Sequence, residues 1–396
     1  MLKILYVIGS MQVGGAERHL YRIASELAKS DYQIQIFALD PEGPLKQLFE
    51  ENGIRVRGVR FPAWIKKFMK TNRILAWISL VISSLYLFLT LLTYRPKVAH
   101  FFLPAAYIIG GSISLLFPNI KRVMSRRSMN YYQDKHTRFA KIERWLHPKM
   151  DVITGNSQAV IEQLQEEGVA KSNLRLIYNG INTNEFKAVK TRSHMRQELG
   201  CDENTLIFTM VANLIAYKGH SDLIDAFHCI KDKMPKDWLV LLAGRDDGIQ
   251  ADLYNQALAL GIEKHFHFLG SRKDIPDLLH ASDVGILCSH EEGFSNAVLE
   301  GMVSGLPMVV TDVGGNAEAV IDGEVGLVVP AKQPEQLATA LLVMIDNNAR
   351  TEIGQKAKNR VETTFSMQAC LDEYENMYSQ LLEHSGKRSV PIRDRL

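Results

Sequence analysis

The stretch DVGILCSHEEGFSNAVLEGMVSGLPMVVTDVGGNAEAV, residues 283–320, decides how this chain folds. It opens with an apolar run, DVGILCS, and Glu292 then begins a turn. The small residues of GFSN follow, and a helix is expected from near Ala297. A second apolar run, PMVVTD, comes next. Two strands apolar on both faces, joined through a helix, make a right-handed parallel βαβ unit. Strands of that kind belong in a sheet covered by helices on both sides.

Working outward, the same alternation runs through almost the whole chain. Strands are expected at LKILYVIG, YQIQIFAL, IRVRGVRF, KVAHFF, KRVMSR and DVITGN, then at TLIFTMVAN, WLVLLAG, HFHFLG, DVGILCS, PMVVTD and GLVVP. Helices fill the gaps, for example 16–29, 157–167 and 219–232. Twelve strands exceed one domain of ordinary size. The polar stretch within 178–201 lacks a strand and marks the boundary, giving domains at 1–178 and 200–365. A helix over 366–384 follows, and the charged tail 385–396 is read as disordered. The fold class is α/β, with two Rossmann-like domains built on parallel sheets.

Composition narrows the function classes. The chain is 46% hydrophobic and 23% charged over 396 residues, within the globular range. A formal net charge of +2 gives no support to a nucleic-acid partner. The four cysteines are Cys201, Cys229, Cys288 and Cys370, too scattered for a disulfide framework or a zinc site. They fit a reducing, cytoplasmic compartment. The N-terminal run ILYVIG is broken by Ser10 and Gln12, so it reads as a first strand and not as a secretory leader.

In open α/β sheets ligands bind beyond the carboxyl ends of the strands, so the strand-to-helix turns are where chemistry is expected. At the opening stretch, a helix N-terminus preceded by small residues presents unpaired N–H groups and a positive dipole end to an anion. Glu292 lies in that turn and Glu300 eight residues on, inside the helix. Carboxylates so placed can accept hydrogen bonds from sugar or ribose hydroxyls. The plainer reading is that Glu292 complements the helix dipole.

Those residues resemble the retaining glycosyltransferases of family 4, with the GT-B fold of two Rossmann-like domains facing a central cleft. The resemblance rests on the Glu-x7-Glu spacing, on S-x-x-E-G-F before it and on L-E-x-M-x-x-G-x-P-x-V after it. It covers nearly the whole chain. It implies a nucleotide-sugar donor with no catalytic metal and no separate cofactor. Glu300 would bind the ribose and Glu292 the donor sugar. The amides of Phe294, Ser295 and Asn296 would contact the sugar and diphosphate. The final helix would pack back on the first domain.

A second motif, MVANLIAYKGHSDLIDAF, places Lys218 between a strand end and a helix. Its ammonium can meet the charge that builds on a departing diphosphate. The family's usual arginine is Asn213 here, so one of two expected cations is replaced; Arg245 or Arg272 is a candidate substitute. Arg272, in LGSRKDIPDLL, also resembles the loop against which the nucleobase lies. The third motif, GSMQVGGAERHL, resembles the family's glycine loop, with Gly15 allowing close backbone approach. Arg126 and Arg127 end the fifth strand, and two readings stand for them: ligands of an anionic acceptor, which arginine forks suit, or ion pairing with Asp or Glu. The family's histidine after the fourth strand is missing, and His100 reads as a core residue.

From Ile74 to Tyr94 the sequence carries no charge, with Lys66, Lys67, Lys70 and Arg73 before it and Arg95 and Lys97 after it. Three readings compete: a membrane span, a buried helix, or a helix lying in the interface of an anionic membrane. A span would put KVAHFF on the wrong side of the bilayer from its partner strands. The interfacial reading, over about 64–94, accounts for both the apolar surface and the flanking cations.

The expected activity is retaining transfer of a sugar, most simply from a UDP-linked donor, to a glycan or lipid-linked acceptor. Its setting would be cell-surface polysaccharide synthesis, with the protein on the inner face of the cell membrane. The alternatives are a sugar-nucleotide epimerase of similar shape, or a weakly catalytic nucleotide-sugar-binding subunit.

Overall fold

A computed structural model describes residues 1–69 and 71–386. Lys70 and most of the 385–396 tail therefore lie outside the described residues. The chain divides into two compact units. One holds residues 1–156 and 160–177 together with the chain from Leu371 onward; the other holds 157–159 and Tyr178–Cys370.

The first unit is a seven-stranded parallel sheet. Its strands are β1 (Leu2–Ser10), β2 (Tyr32–Asp40), β3 (Arg55–Arg57), β4 (Val98–Phe102), β5 (Lys121–Arg126), β6 (Val152–Gly155) and β7 (Leu174–Leu176), in the order β3-β2-β1-β4-β5-β6-β7. β1 lies inside the sheet, pairing Ile4 with Ile34 on one side and Val98 on the other. Ile4 to Ile8 are all buried, because helices cover both faces. The expected IRVRGVRF strand is cut to three residues. It is an edge strand carrying Arg55 and Arg57, and short charged edges avoid stray pairing. β7, the opposite edge, escapes sequence reading because LRL is too short to show a period.

The second unit has six parallel strands: β8 (Leu206–Val211), β9 (Trp238–Ala243), β10 (Phe266–Gly270), β11 (Val284–Leu287), β12 (Met308–Thr311) and β13 (Gly326–Val329). Their order is β10-β9-β8-β11-β12-β13. The strand order reverses between β8 and β11, which makes the carboxyl ends of these two strands the switch point where a ligand is expected. The core beneath it includes Phe208, Phe227, Leu299 and Met302.

The helix Met367–Gly386 supplies Tyr374 and Tyr378 to the first unit. The Tyr378 hydroxyl lies 2.9 Å from that of Tyr6 and 2.7 Å from His100 Nδ1. His100 Nε2 continues the chain to Ser125 Oγ at 2.7 Å. Burial, with the charge of Arg127 second, lowers the His100 pKa well below its ordinary value. His100 is thus a neutral link in a buried network across β1, β4 and β5, as its apolar strand context suggests.

One helix among the described residues, Arg73–Tyr94, is long and apolar enough to cross a membrane. Asn72 caps it by accepting from the Ile74 and Leu75 amides. It docks with its polar stripe inward: Ser79, Ser83 and Thr90 are buried beside Leu87, Leu91 and Tyr94. Two hydroxyls donate back to their own helix, Ser79 to Ala76 O and Thr90 to Tyr86 O. Leu87, Leu91 and Tyr94 join the core with Val7, Phe37 and Phe101. Trp77, Ile78, Val81 and Leu85 face outward. This is the reverse of a helix on a water-facing surface.

Candidate active site

Two strand ends build the site in the second unit. After β8 the chain makes a short turn and enters the helix His220–Ile230 through Gly219. Gly219 is left-handed, with φ 76°, and a Cβ there would stand 2.0 Å from the Cys288 carbonyl oxygen. Both constraints demand glycine and press the Lys218 turn against the end of β11. The His290 amide donates to the Tyr217 carbonyl at 2.7 Å, and the Cys288 thiol donates to the Gly219 carbonyl at 3.1 Å.

The result brings Lys218 and Glu292 together. Lys218 Nζ donates to Glu292 Oε1 at 2.6 Å, with both side chains mostly buried. Ser289 Oγ donates to the same oxygen at 2.8 Å, and the Ser289 carbonyl accepts from Thr311 Oγ1. Neither bond uses Oε2. Beside them His290 Nε2 meets Asp222 Oδ2 at 2.8 Å, tying the turn after β11 to the His220–Ile230 helix. The arrangement is a positioned carboxylate and a positioned cation at the switch point.

The helix Asn296–Val303 starts directly beyond. Its first-turn amides have no intrahelical acceptor, by the geometry of any helix start. Ser295 is its N-cap without a side-chain cap bond, so its own hydroxyl does not occupy those amides. Glu300 is half-buried one turn in. The Phe294 ring turns away into the core, against Tyr178 and Phe365. Gly314 and Gly315, after β12, hold the loop from below. The Gly315 amide donates to the Gly293 carbonyl at 2.7 Å, and a Cβ on Gly315 would stand 2.5 Å from the Phe294 ring.

Sequence reasoning missed Asn179. Its side-chain amide donates to the Phe294 carbonyl at 3.0 Å and to Asn296 Oδ1 at 2.7 Å, fixing the loop from the start of the second unit. The turn dipeptide Asn179-Gly180 in YNGIN was the available signal. Ser289 stood in the S-x-x-E-G-F motif, but its bond to Glu292 Oε1 shows only in the structure.

The remaining candidates divide. Asn213 is exposed and accepts from the Arg245 amide, at 3.2 Å. Neither suggested substitute arginine is uncommitted: Arg245 grips Asp247 through two bonds and Arg272 grips Asp274 through two. Asp246 accepts from three backbone amides, those of Gly248, Ile249 and Gln250. These bonds give the Asp246-Asp247 pair structural work.

In the first unit Gly15 begins the helix Gly15–Leu27, after the carboxyl end of β1. A Cβ there would meet open space, so the fold itself does not require glycine at this position. Arg126 must be corrected as an acceptor ligand. Its guanidinium is buried between Glu143, at 2.8 Å, and Glu167. Burial alone would raise the Glu167 carboxyl; the bond from His147 and the charge of Arg126 outweigh it and hold it down at about 2. The carboxylates arrive from distant helices, which strand-end reasoning could not see. Arg127, by contrast, is only half-buried, and its charge bears on both His19 and His100.

The chain matches the models of two families, "Glycosyltransferase Family 4" over residues 13–185 and "Glycosyl transferases group 1" over residues 191–360. It belongs to the family 4 glycosyltransferases, enzymes of the GT-B fold. It is 24% identical to a D-inositol 3-phosphate glycosyltransferase of Corynebacterium glutamicum, over 96% of this chain and 94% of that protein. It is 26% identical to the UDP-Gal:alpha-D-GlcNAc-diphosphoundecaprenol alpha-1,3-galactosyltransferase of Escherichia coli, over 55% of this chain and 57% of that one. Among solved structures it resembles Anabaena HepE in complex with UDP, with a TM-score of 0.82 and 22% identity, over 96% of this chain and 100% of that one.

Proposed function

We propose that this glycosyltransferase moves a sugar from a UDP-linked donor to a glycan or lipid-linked acceptor, with retention at the anomeric carbon. The observation that carries the reading is the meeting of Lys218 and Glu292 at 2.6 Å on the β8–β11 switch point, beside the helix start at Asn296. A diphosphate fits a cation next to a helix N-terminus. A sugar hydroxyl fits Glu292 Oε2, while Lys218 and Ser289 hold Oε1. Glu300 is placed for the ribose and the Arg272 loop for the base. The HepE complexes with UDP and UDP-glucose support a uridine donor.

In the transfer, the bond from the anomeric carbon to the diphosphate oxygen breaks and UDP keeps the electron pair. The acceptor oxygen bonds to that carbon on the same face and gives its proton to the departing phosphate. Lys218 lowers the barrier by meeting charge that grows on the diphosphate. In the first unit, Arg127 holds an anionic acceptor group and the open space at Gly15 lets a ligand approach its backbone. No metal or cofactor is needed for these roles.

The names of the relatives support a place in cell-surface polysaccharide assembly, since the E. coli enzyme's acceptor is a diphosphoundecaprenol-linked sugar. The outward apolar face of the Arg73–Tyr94 helix supports residence on the inner face of an anionic membrane. The test is to supply UDP-sugars with a membrane lipid extract. Acceptor-dependent UDP release and an axial or equatorial product matching the donor's anomer are expected. Nucleotide binding without turnover in any extract would favour the binding-subunit reading, which Asn213 in place of an arginine keeps in view.

A further inference from the structure

The apolar surface of the first unit does not stop at the Arg73–Tyr94 helix. The helix Pro104–Ser114 packs against it, and the helix Thr137–Leu146 packs against Pro104–Ser114 on the far side. Thr137–Leu146 buries Ala140, Glu143 and Leu146 and leaves Phe139, Ile142 and Trp145 between 37% and 52% exposed. Interleaved with these are Arg138, Lys141 and Arg144, all exposed. Its single carboxylate, Glu143, turns inward to Arg126, Tyr132 and Gln133. The outward face is therefore aromatic, aliphatic and cationic, with no acid.

The charge pattern extends well beyond one helix. From residue 52 to residue 133 the chain has no Asp or Glu and thirteen Lys and Arg. The whole chain carries 44 acidic residues in 396, so about nine would be expected in a stretch of this length. The cations there have no acid of their own segment, although Lys66, Lys121 and Arg126 pair with acids outside it. The outward stripe of the Arg73–Tyr94 helix, from Ile74 to Leu92, is about 27 Å long at 1.5 Å per residue. Its inward face is fixed in the core, which excludes a span and lays the helix along the surface.

Resting on the membrane reading above, we infer that the Thr137–Leu146 helix is a second membrane anchor. It would place Phe139, Ile142 and Trp145 in the headgroup–acyl boundary of an anionic leaflet while Arg138, Lys141 and Arg144 meet lipid phosphates. Trp and Phe with Lys and Arg on one short helix suit that boundary. Charge complementarity favours lipid over a second copy of this chain, because a symmetric pairing would bring like cations together. Two anchors flanking Pro104–Ser114 also fix the rotation of the unit on the membrane, which a single helix cannot.

The test is flotation of the full chain with vesicles of phosphatidylcholine alone and with one-third phosphatidylglycerol added. Wild type should partition at least tenfold better onto the anionic vesicles. The double variant Phe139→Ser/Ile142→Ser should lose at least tenfold on them, with its thermal unfolding unchanged. Brominated lipid should quench wild-type fluorescence more than that of Trp145→Phe. If Ile78→Ser/Val81→Ser loses binding and the Phe139/Ile142 variant does not, the second anchor is overturned and the single-helix reading stands. If wild type floats but neither double variant matters, both fall. If wild type ignores vesicles and instead forms a dimer that the Phe139/Ile142 variant breaks, the face joins copies and the anchor is overturned.

Discussion

Lys218 and Glu292 are 74 positions apart, yet their side chains share a hydrogen bond of 2.6 Å because β8 and β11 are neighbours. A pair that acts as one unit loses nearly everything when either member goes. Lys218→Ala and Glu292→Gln should each lower kcat by about 10²–10³, the range seen for removal of one preorganised electrostatic contact. The double variant should be scarcely worse than the poorer single one. Steady-state kinetics on the four proteins checks this, and additive losses would show that the two act separately.

The glycines separate folding from function. Gly15→Ala meets open space and should leave the unfolding temperature within about 1–2 °C of wild type, while kcat/KM falls at least tenfold if a ligand approaches that backbone. Gly315→Ala drives a Cβ to within 2.5 Å of the Phe294 ring and 2.9 Å of the Gly293 carbonyl oxygen. It should destabilise by about 1–3 kcal/mol and lower activity with it. Calorimetry beside kinetics reads both.

Adjacent arginines should behave oppositely. Arg126→Ala leaves Glu143 and Glu167 buried without their cation, a loss of about 3–5 kcal/mol. Arg127→Ala, at a half-buried site, should cost less stability than Arg126→Ala and raise the KM for the acceptor, with the donor KM unaltered.

Much of this was legible in the sequence, and the failures share a cause. Unbroken apolar runs such as ILYVI and PMVV betray parallel strands, and the Glu-x7-Glu spacing marks the turn after β11. Three-residue edge strands such as β7 have no period to read. Between ligand and ion-pair partner the sequence left Arg126 open, because Glu143 and Glu167 are brought to it only by tertiary folding. The uncharged run 74–94 is plain in sequence, but only packing tells that Ser79, Ser83 and Thr90 of its helix face inward. Asn179 reaches the Phe294 carbonyl and Ser289 reaches Glu292 Oε1, contacts that the motif residues alone do not reveal.

His220 gives a pH prediction. It is 1% exposed, and neither ring nitrogen has a hydrogen-bond partner among the described residues. Burial, with the Lys218 charge second, lowers its pKa from 6.5 to about 4. The unfolded chain takes up a proton as pH falls below 6.5, and the folded chain resists until about 4. Stability is therefore full above pH 6.5 and falls between 6.5 and 4, by up to roughly 3 kcal/mol. His220→Phe should unfold with less pH dependence over that window, as thermal scans at pH 7.5 and 4.5 would read.

The most direct test of the donor site is calorimetric titration of UDP, GDP and ADP into wild type and Glu300→Ala. Selective binding of UDP by wild type, weakened at least tenfold by the substitution, is the expected result. Absence of binding by all three nucleotides, or UDP binding that Glu300→Ala leaves untouched, would contradict the assignment of this site.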